Sequence, residues 1–148
     1  MPLFVRFAVT QEDLEAAYAL RKAVFEAEQN VPRPLDRDPF DDRAAHAVAF
    51  DESGRCIGTG RVVRLDTRLG QIGRQAVLPE RRRHGVGAAV LDALEHMARM
   101  QGLRELAVHS QIPARHFYEG RGFVAEGEVF LDQGVPHVLM KKSLIDPR

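Results

Sequence analysis

The order of apolar and polar positions along the chain predicts strands and helices in a mixed arrangement. Residues 3–9 are short and largely apolar, as in an opening strand. From Thr10 to about Phe25, the apolar positions follow helical spacing, and this face includes Arg21. Thr10 is suited to cap the helix, and Asp13, three residues later, is expected to complete a capping box. The chain is therefore expected to open with a strand and an amphipathic helix.

Beyond this helix, the pattern predicts a loop and then three strands. Residues 30–42 are rich in proline and aspartate, which is typical of a loop with one short helical turn. Three apolar segments follow, at residues 45–50, 56–65 and 70–78. Because short turns separate them, we expect these strands to pair in an antiparallel meander.

The second half of the chain predicts strands that alternate with helices. Residues 85–100 form the longest helical pattern, and Gly102 closes it. The remaining expected elements are a strand at 106–109, a short helix at 113–119, a strand at 123–125 and a closing hairpin of 129–131 and 137–140. Strand–helix–strand units imply parallel pairing, so two parallel pairs are expected. The predicted fold class is therefore α/β, with a central mixed sheet flanked by helices in a single domain over residues 1–148.

Length, charge and cysteine content narrow the class of protein. The chain has 148 residues and carries 21 basic and 21 acidic side chains, so its formal net charge is zero. This balance argues against attraction of the whole protein to nucleic acid or anionic lipid. A single cysteine, Cys56, excludes an internal disulfide. With no apolar run of bilayer length and no secretory signal, we expect a cytoplasmic protein without nucleic-acid or membrane partners.

The most informative segment is a basic, glycine-containing turn before the long helix. It comprises Arg81, Arg82, Arg83, His84, Gly85 and Gly87. Unpaired N–H groups and the positive dipole at a helix start bind phosphate, and glycine lets an anion approach the backbone. From glycine and charge alone, a solvated basic loop is an equally good interpretation. The spacing fits neither a Walker A loop nor the dinucleotide fingerprint, because Ala88 and Val90 stand where those motifs need other residues.

Two motifs in this order resemble those of the GNAT superfamily of N-acetyltransferases. The first is Arg82-x-x-Gly85-x-Gly87, which follows a strand ending in Val77-Leu78-Pro79. The second is Gln111-x-x-Ala114-x-x-Phe117-Tyr118-Glu119-x-x-Gly122-Phe123, with the spacing of the family. Gln111 departs from the family, since many members carry asparagine there. The resemblance spans essentially the whole chain, and residues 24–29 and 134–140 are similar to an ElaA-like bacterial branch.

The resemblance implies a GNAT-like acyl-CoA N-acyltransferase fold, with acetyl-CoA as the acetyl donor and no metal. We expect the pyrophosphate on the N–H groups of the turn, the pantetheine arm beside the preceding strand, and the Val77 N–H on the thioester carbonyl. The cofactor-binding residues implied are Gln75, Ala76, Val77, Arg82, Arg83, His84, Gly85, Val86, Gly87, Ala88, Gln111, Ala114 and Phe117.

The catalytic residues are expected to act without an acyl-enzyme, by direct attack of a primary amine in a ternary complex. Cys56 is therefore interpreted as a packing residue. Tyr118 matches the family tyrosine that protonates the leaving sulfur, a role that suits a phenol neutral at pH 7. The amine must also lose a proton, and Glu28, His109 and His137 are unranked candidates for the base, although residues of these types in such positions are more often structural.

Several alternatives stay open at this point. The loop aspartates form either a solvated face or a surface that attracts a cationic amine; they are Asp36, Asp38, Asp41 and Asp42. A GNAT-fold module that binds acyl-CoA without catalysis is the alternative function. The acceptor is a small amine, an amino sugar or antibiotic, or a peptide N-terminus, and a homodimer is implied by the resemblance alone.

Overall fold

The computed structural model of the protein describes residues 3–29 and 37–145, with the side chains of residues 27–29 outside the described part. Its strands and α-helices, in chain order, are β1 (Leu3–Phe7), α1 (Gln11–Gln29), β2 (Ala44–Asp51), β3 (Cys56–Arg64), β4 (Leu69–Val77), α2 (Val86–Met100), β5 (Glu105–Gln111), α3 (Arg115–Glu119), β6 (Val124–Asp132) and β7 (Val135–Ser143). Short 3-10 turns lie at Pro39–Arg43, Pro79–Arg81 and Ile112–Ala114. None of the helices in these residues is long and apolar enough to cross a bilayer.

The seven strands form one mixed sheet in the order β1-β2-β3-β4-β5-β7-β6. Strands β2, β3 and β4 form the predicted antiparallel meander, and β4 and β5 form a predicted parallel pair across the α2 crossover. Strand β1 adds to the meander, antiparallel to β2. The second parallel pair was wrong, because β7 lies between β5 and β6 and is antiparallel to both. Burial explains the order. β7 contributes Val138 and Met140 to the core, whereas β6 is mostly exposed and takes the edge of the sheet.

A second expectation was also wrong: the separate strands predicted at residues 123–125 and 129–131 are one strand, β6. The pairing with β7 is irregular between Glu126 and Phe130, where Gly127 adopts a φ of 83°. A bulge of this kind interrupts the two-residue period of a strand without ending it. The apolar pattern of one bulged strand therefore looks like two short ones.

The N-terminal cap of α1 differs in one contact from the predicted capping box. The Asp13 N–H donates to Thr10 Oγ1 at 3.1 Å, as expected. The Asp13 carboxylate does not return to the cap, because Arg6 binds it through Nε and Nη2, both at 2.9 Å. A guanidinium offers this carboxylate two charge-assisted bonds, which are stronger than one bond to a backbone N–H.

Helices cover the two faces of the sheet, as predicted. On one face, α2 approaches β3 so closely that a Cβ on Gly58 would lie 2.6 Å from Val86 Cγ1. On the other face, Leu20, Val24 and Phe25 of α1 pack against Ala76 of β4. The two faces are called the α2 face and the α1 face below.

Strands β4 and β5 separate partway along their length. They pair only from Leu69 to Ile72 on β4, so residues 73–77 have no β5 partner in the described ladder. The β3–β4 register shifts at the same level, and Arg74 adopts a left-handed φ of 51°. This bulge offsets the alternation of side chains. Gln75 then lies against Gly60 on the α2 face, whereas Ala76 packs on the α1 face.

Candidate active site

The basic turn between β4 and α2 has the backbone shape of an anion-binding site. Arg83 and Gly85 both have left-handed φ values, of 66° and 83°, and α2 begins at the next residue, Val86. The first N–H groups of α2 have no partner within the helix, and the helix dipole adds positive potential at this end. No atom lies within 4 Å of a Cβ built on Gly85, so glycine is required there by φ rather than by space. The side chains of residues 82–84 are exposed.

Three elements meet in front of Gly87, in the first turn of α2. A Cβ on Gly87 would lie 3.8 Å from Phe117 Cζ of α3 and 3.8 Å from Val77 Cγ2 of β4. Phe117 is 37% exposed, so this contact lies at the protein surface. Three segments that the sequence places in the cofactor site are therefore neighbours in space.

The end of β4 presents backbone groups to the gap beside it. The Leu78 N–H donates to Ile57 O at 3.0 Å, which makes Leu78 the hydrogen-bonded partner of β3. Since an antiparallel ladder alternates, the N–H and C=O of Val77 point away from β3. The Val77 carbonyl accepts a 3.1 Å bond from Arg82 Nε, in keeping with that direction.

Tyr118 lies on the α2 face and reaches across the gap to β4. Its hydroxyl donates a hydrogen bond to Gln75 Oε1, and its ring contacts Phe117 and Phe123 edge-on. The side chain is only 8% exposed, and burial raises the pKa of Tyr118 to about 12. The phenol is therefore protonated, and able to donate a hydrogen bond, at neutral pH. The sequence analysis named both Tyr118 and Gln75 as site residues, but it did not predict the hydrogen bond between them.

The two candidate histidines lie near each other on the α1 face. His109 is exposed, and its ring contacts Phe130 edge-on at 5.2 Å. His137 is buried, and its ring stacks on the same Phe130 ring, with 6.0 Å between the ring centroids. His137 Nδ1 lies 2.7 Å from Val135 O. Because a carbonyl only accepts, Nδ1 carries the proton in the neutral ring, and Nε2 is left as the basic nitrogen.

Other predicted site residues take less central positions. Gln111 is half-buried at the end of β5, with its backbone paired to His137. Ala114 is half-buried and packs against the main core. Glu28 belongs to the last turn of α1, but its side chain lies outside the described residues.

Cys56 has the properties of a packing residue. It is half-buried, its thiol donates to Gly58 O at 3.7 Å, and burial raises its pKa to about 11. A thiol with that pKa carries almost no thiolate at neutral pH, and thiolate is the nucleophilic form. Within the described part of the chain, no group of three potential metal ligands comes together.

A buried arginine–aspartate cluster lies on the α1 face, beside the bulge of β4. Its members are Arg21, Asp38, Asp41, Arg61 and Arg74. Asp41 accepts bonds from Arg21 at 2.8 and 3.0 Å and from Arg61 at 2.7 Å. Asp38 accepts bonds from Arg61 at 2.6 and 3.0 Å and from Arg74 at 2.9 Å.

The cluster corrects the interpretation of two loop aspartates. Asp38 and Asp41 form neither a solvated face nor a free surface for a cationic amine, because arginines already bind both carboxylates. Asp42 is exposed and lies 3.3 Å from Arg37, and Asp36 lies outside the described residues. Arg21 on the apolar face of a helix was the signal for this cluster, since a buried guanidinium needs carboxylate partners.

The cluster strongly shifts the ionisation of its acids. Burial alone would oppose ionisation of Asp41, yet hydrogen bonds from Arg21, Asp38 N–H and Arg61 hold its pKa well below the ordinary range. The pKa of Asp38 is lowered in the same way, chiefly by Arg61. His46, whose Nε2 lies 3.0 Å from Asp41 O, has its pKa lowered by burial and is neutral.

Comparison with known proteins relates this geometry to one family. The profile of the acetyltransferase (GNAT) domain matches residues 8–144. YjcF of Bacillus subtilis, an uncharacterized N-acetyltransferase, is 35% identical over 137 residues, covering 92% of this chain and 96% of that protein. A Lactobacillus plantarum protein, provisionally assigned as an N-acetyltransferase, superposes with a TM-score of 0.88 at 29% identity, covering 98% and 100% of the two chains. Escherichia coli ElaA superposes with a TM-score of 0.82 at 25% identity, covering 95% and 99%.

Proposed function

Since this chain belongs to the GNAT acetyltransferase family, we propose that it transfers an acetyl group from acetyl-CoA to a primary amine by direct attack in a ternary complex. Membership of this family makes the protein an acyltransferase. Enzymes of the family use acyl-CoA as donor and amines as acceptors. The observation that carries the proposal is the meeting of the basic turn, the open end of β4 and the Tyr118 phenol around one gap.

The described residues fit a CoA thioester as donor substrate. The N–H groups of residues 83–88 and the side chains of Arg82 and Arg83 would hold the pyrophosphate. The unpaired stretch of β4 offers backbone groups to the amides of the pantetheine arm, with Phe117 beside it. A GNAT acetyltransferase of the same fold from Elizabethkingia anophelis, 15% identical, was solved with acetyl-CoA bound, which supports the choice of donor.

Each group of the site has one task in the proposed reaction. The Val77 N–H, directed into the gap, stabilises negative charge on the thioester oxygen. As the amine nitrogen bonds to the acetyl carbon and the carbon–sulfur bond breaks, Tyr118 gives its proton to the sulfur. The nitrogen's surplus proton passes to a base on the α1 face. We assign that base to His137, because its Nδ1–H is held by Val135 O and its Nε2 is basic.

The first experiment is calorimetric titration with acetyl-CoA, using CoA and ATP as comparisons, followed by a thiol-release screen of amines. One-to-one binding of acetyl-CoA, with much weaker binding of ATP, is expected. Absence of binding to both CoA forms would exclude the proposed function. Tight binding with no thiol release from any amine would favour a non-catalytic acyl-CoA-binding module instead.

We predict that Gly87→Leu weakens acetyl-CoA binding at least about tenfold. A leucine side chain would fill the space between Phe117 and Val77, where glycine leaves room for the substrate. Calorimetry on the folded variant measures the effect. Gly102→Asn is the matched control, because Gly102 lies beyond the other end of α2 at a φ of 78°, which asparagine tolerates. Wild-type affinity in Gly87→Leu would show that the donor does not pass this residue.

We also predict that His137→Gln lowers kcat by about 10²-fold, within the usual range for a lost general base. His109→Gln should change kcat several-fold at most, because the His109 ring is exposed and no described contact fixes its tautomer. Thermal unfolding of both variants separates catalysis from packing, because loss of a base lowers kcat without lowering Tm. Equal kcat values for the two variants, or a larger loss in His109→Gln, would reject the assignment.

A further inference from the structure

The side chain of Gln75 is placed opposite Tyr118 by two neighbouring strands. The bulge at Arg74 turns Gln75 to the α2 face, where Gly60 of β3 leaves space for it. A Cβ on Gly60 would lie only 3.2 Å from Gln75 Cγ, so the stem of Gln75 packs closely against β3. The terminal amide is joined to this stem by a torsion with a broad, roughly two-fold profile. Packing therefore fixes the stem but leaves the amide free to exchange its two ends.

The hydroxyl of Tyr118 has one hydrogen-bond partner within residues 3–29 and 37–145, and that partner is Gln75. The ring is held separately, by edge-on contacts with Phe117 and Phe123. Burial, rather than a neighbouring charge, raises the pKa of the phenol. Once the ring is in place, Gln75 is therefore the described group that sets the direction of the O–H bond.

The proposed proton transfer runs against the acidity of the phenol. As the carbon–sulfur bond breaks, its electron pair stays on the sulfur, which then takes the Tyr118 proton. An alkyl thiol has a pKa of about 8.5, whereas burial raises the pKa of Tyr118 to about 12. The phenol is thus a weaker acid than the thiol it must form, by a factor of about 10³ or more. The transfer also leaves a phenolate in a buried position, which is costly unless a hydrogen-bond donor satisfies it.

The Gln75 amide can bind the tyrosine oxygen both before and after the proton has left. Its Oε1 accepts the hydrogen bond of the neutral phenol, as in the structure. Its Nε2 carries two N–H donors, which a phenolate can accept after a half-turn of the amide. Hydrogen bonds with an ionised partner are about twice as strong as those between neutral groups. The interaction therefore strengthens in the state that the buried site would otherwise disfavour.

We infer that Gln75 is a positioning residue for proton transfer, which orients the Tyr118 hydroxyl and then stabilises its phenolate through an N–H group. The inference rests on the proposed function, because only that reaction gives Tyr118 a thiolate to protonate. Gln75 itself loses no proton in this step. Once the products leave, the phenolate regains a proton from water and the base on the α1 face releases one to water.

Two substitutions separate the two tasks of Gln75. Gln75→Glu keeps an acceptor of the same length but has no donor when ionised, and Gln75→Met has neither. In Gln75→Met, kcat for thiol release should fall about tenfold, the effect of one charge-assisted hydrogen bond. In Gln75→Glu it should fall about 10²-fold at pH values near 8, because the carboxylate also repels the phenolate. Gln71→Met is the matched control, since Gln71 is likewise half-buried on β4, and it should keep the wild-type kcat.

The Tyr118→Phe background tests whether Gln75 acts through Tyr118. With no phenol to orient, Gln75→Met should change kcat there by less than about twofold. A full further loss of activity in the double variant would overturn the inference, because Gln75 would then act on the substrate directly. Wild-type kcat in Gln75→Glu would equally overturn it, since acceptance alone would then be sufficient.

A spectroscopic measurement needs no turnover and therefore separates this inference from the proposed function. Tyr18→Phe leaves Tyr118 as the one tyrosine in a chain without tryptophan. Tyr18 lines a separate pocket of about 220 Å³ among α1, β2 and the 3-10 turn at Pro39–Arg43, and neither Gln75 nor Tyr118 lines that pocket. In this background, position 118 is filled with 3,5-difluorotyrosine, a more acidic phenol whose ionisation is followed by its absorbance. Thermal unfolding establishes that each variant is folded.

The ionisation constant of this phenol should fall about tenfold in Gln75→Met and further in Gln75→Glu. Both variants lose the N–H donor, and the second adds a negative charge. An unchanged ionisation constant in both variants would refute the role of Gln75 even if the protein acetylates amines. If the expected changes appear but the wild-type protein releases no thiol with any amine, the proposed function is refuted and only the contact with the phenolate is supported.

Discussion

Replacement of Tyr118 by phenylalanine should lower kcat for acetyl transfer by about 10²- to 10³-fold while leaving acetyl-CoA affinity within about twofold. Removal of the hydroxyl takes away the proton that the leaving thiolate needs, and general acids contribute about 10²–10⁴ in rate. The ring keeps its contacts with Phe117 and Phe123, so the shape of the site is preserved. Because burial raises the pKa of Tyr118 to about 12, its ionisation should not limit the wild-type rate below about pH 10.

Tyr18→Phe provides the matched control for this prediction. The chain has two tyrosines, and both side chains are 8% exposed, so the two variants make the same chemical change at equal burial. Tyr18 lies by the pocket near Asp41, away from the gap. Thiol release under saturating acetyl-CoA measures kcat for both. A Tyr118→Phe enzyme as fast as Tyr18→Phe would remove Tyr118 as the proton donor.

Replacement of Asp41 by asparagine should destabilise the protein by about 3–5 kcal/mol, the cost of breaking a buried ion pair by removing one partner. The side chain of Asp41 is fully buried and binds Arg21 and Arg61. An amide has one acceptor oxygen and cannot replace both carboxylate oxygens. For a chain of this size, the loss corresponds to a fall in Tm of roughly 10 °C, measured by thermal unfolding.

The same variant tests the acid dependence of stability. The folded pKa of Asp41 lies well below its ordinary value, which is about 3.9 in the unfolded chain. Its contribution is therefore complete above about pH 4 and is lost as the pH falls toward the folded pKa. Asp41→Asn should show a flatter decline in stability below pH 4. Asp92→Asn, which removes an exposed pair with Arg121, should cost under about 1 kcal/mol, and equal costs for the two variants would contradict the role of the cluster.

The local sequence pattern was sufficient to predict a structural element wherever the interactions that form the element lie within one segment of the chain. The helical period of residues 85–100 and the glycine spacing before it predict α2 and the basic turn, because both depend on neighbours along the chain. The parallel pairing of β4 and β5 also followed, since a helix crossover permits it. The position of β7 did not follow, because sheet order depends on which strand buries more surface.

The candidate site shows the same division. Tyr118 and the turn are recognisable from two sequence motifs, because the chemistry proposed for them requires particular residue types at fixed spacing. Gln75 as the partner of Tyr118 is 43 residues away, and only the bulge at Arg74 turns it to the α2 face. Likewise, Asp38 and Asp41 look like solvent-exposed loop acids until Arg21 and Arg61 are brought beside them.

The sequence by itself thus determined most of the elements, the fold class and the basic turn before α2, since period, glycine and local charge act over a few residues. Only the tertiary structure decided which side chains face each other across the gap between β4 and β5. The physical reason is that a one-residue bulge offsets the two-residue alternation of a strand, and with it the face that each side chain occupies. Where a buried charge finds its partners is decided in the same way, by contacts between segments that are distant in the chain.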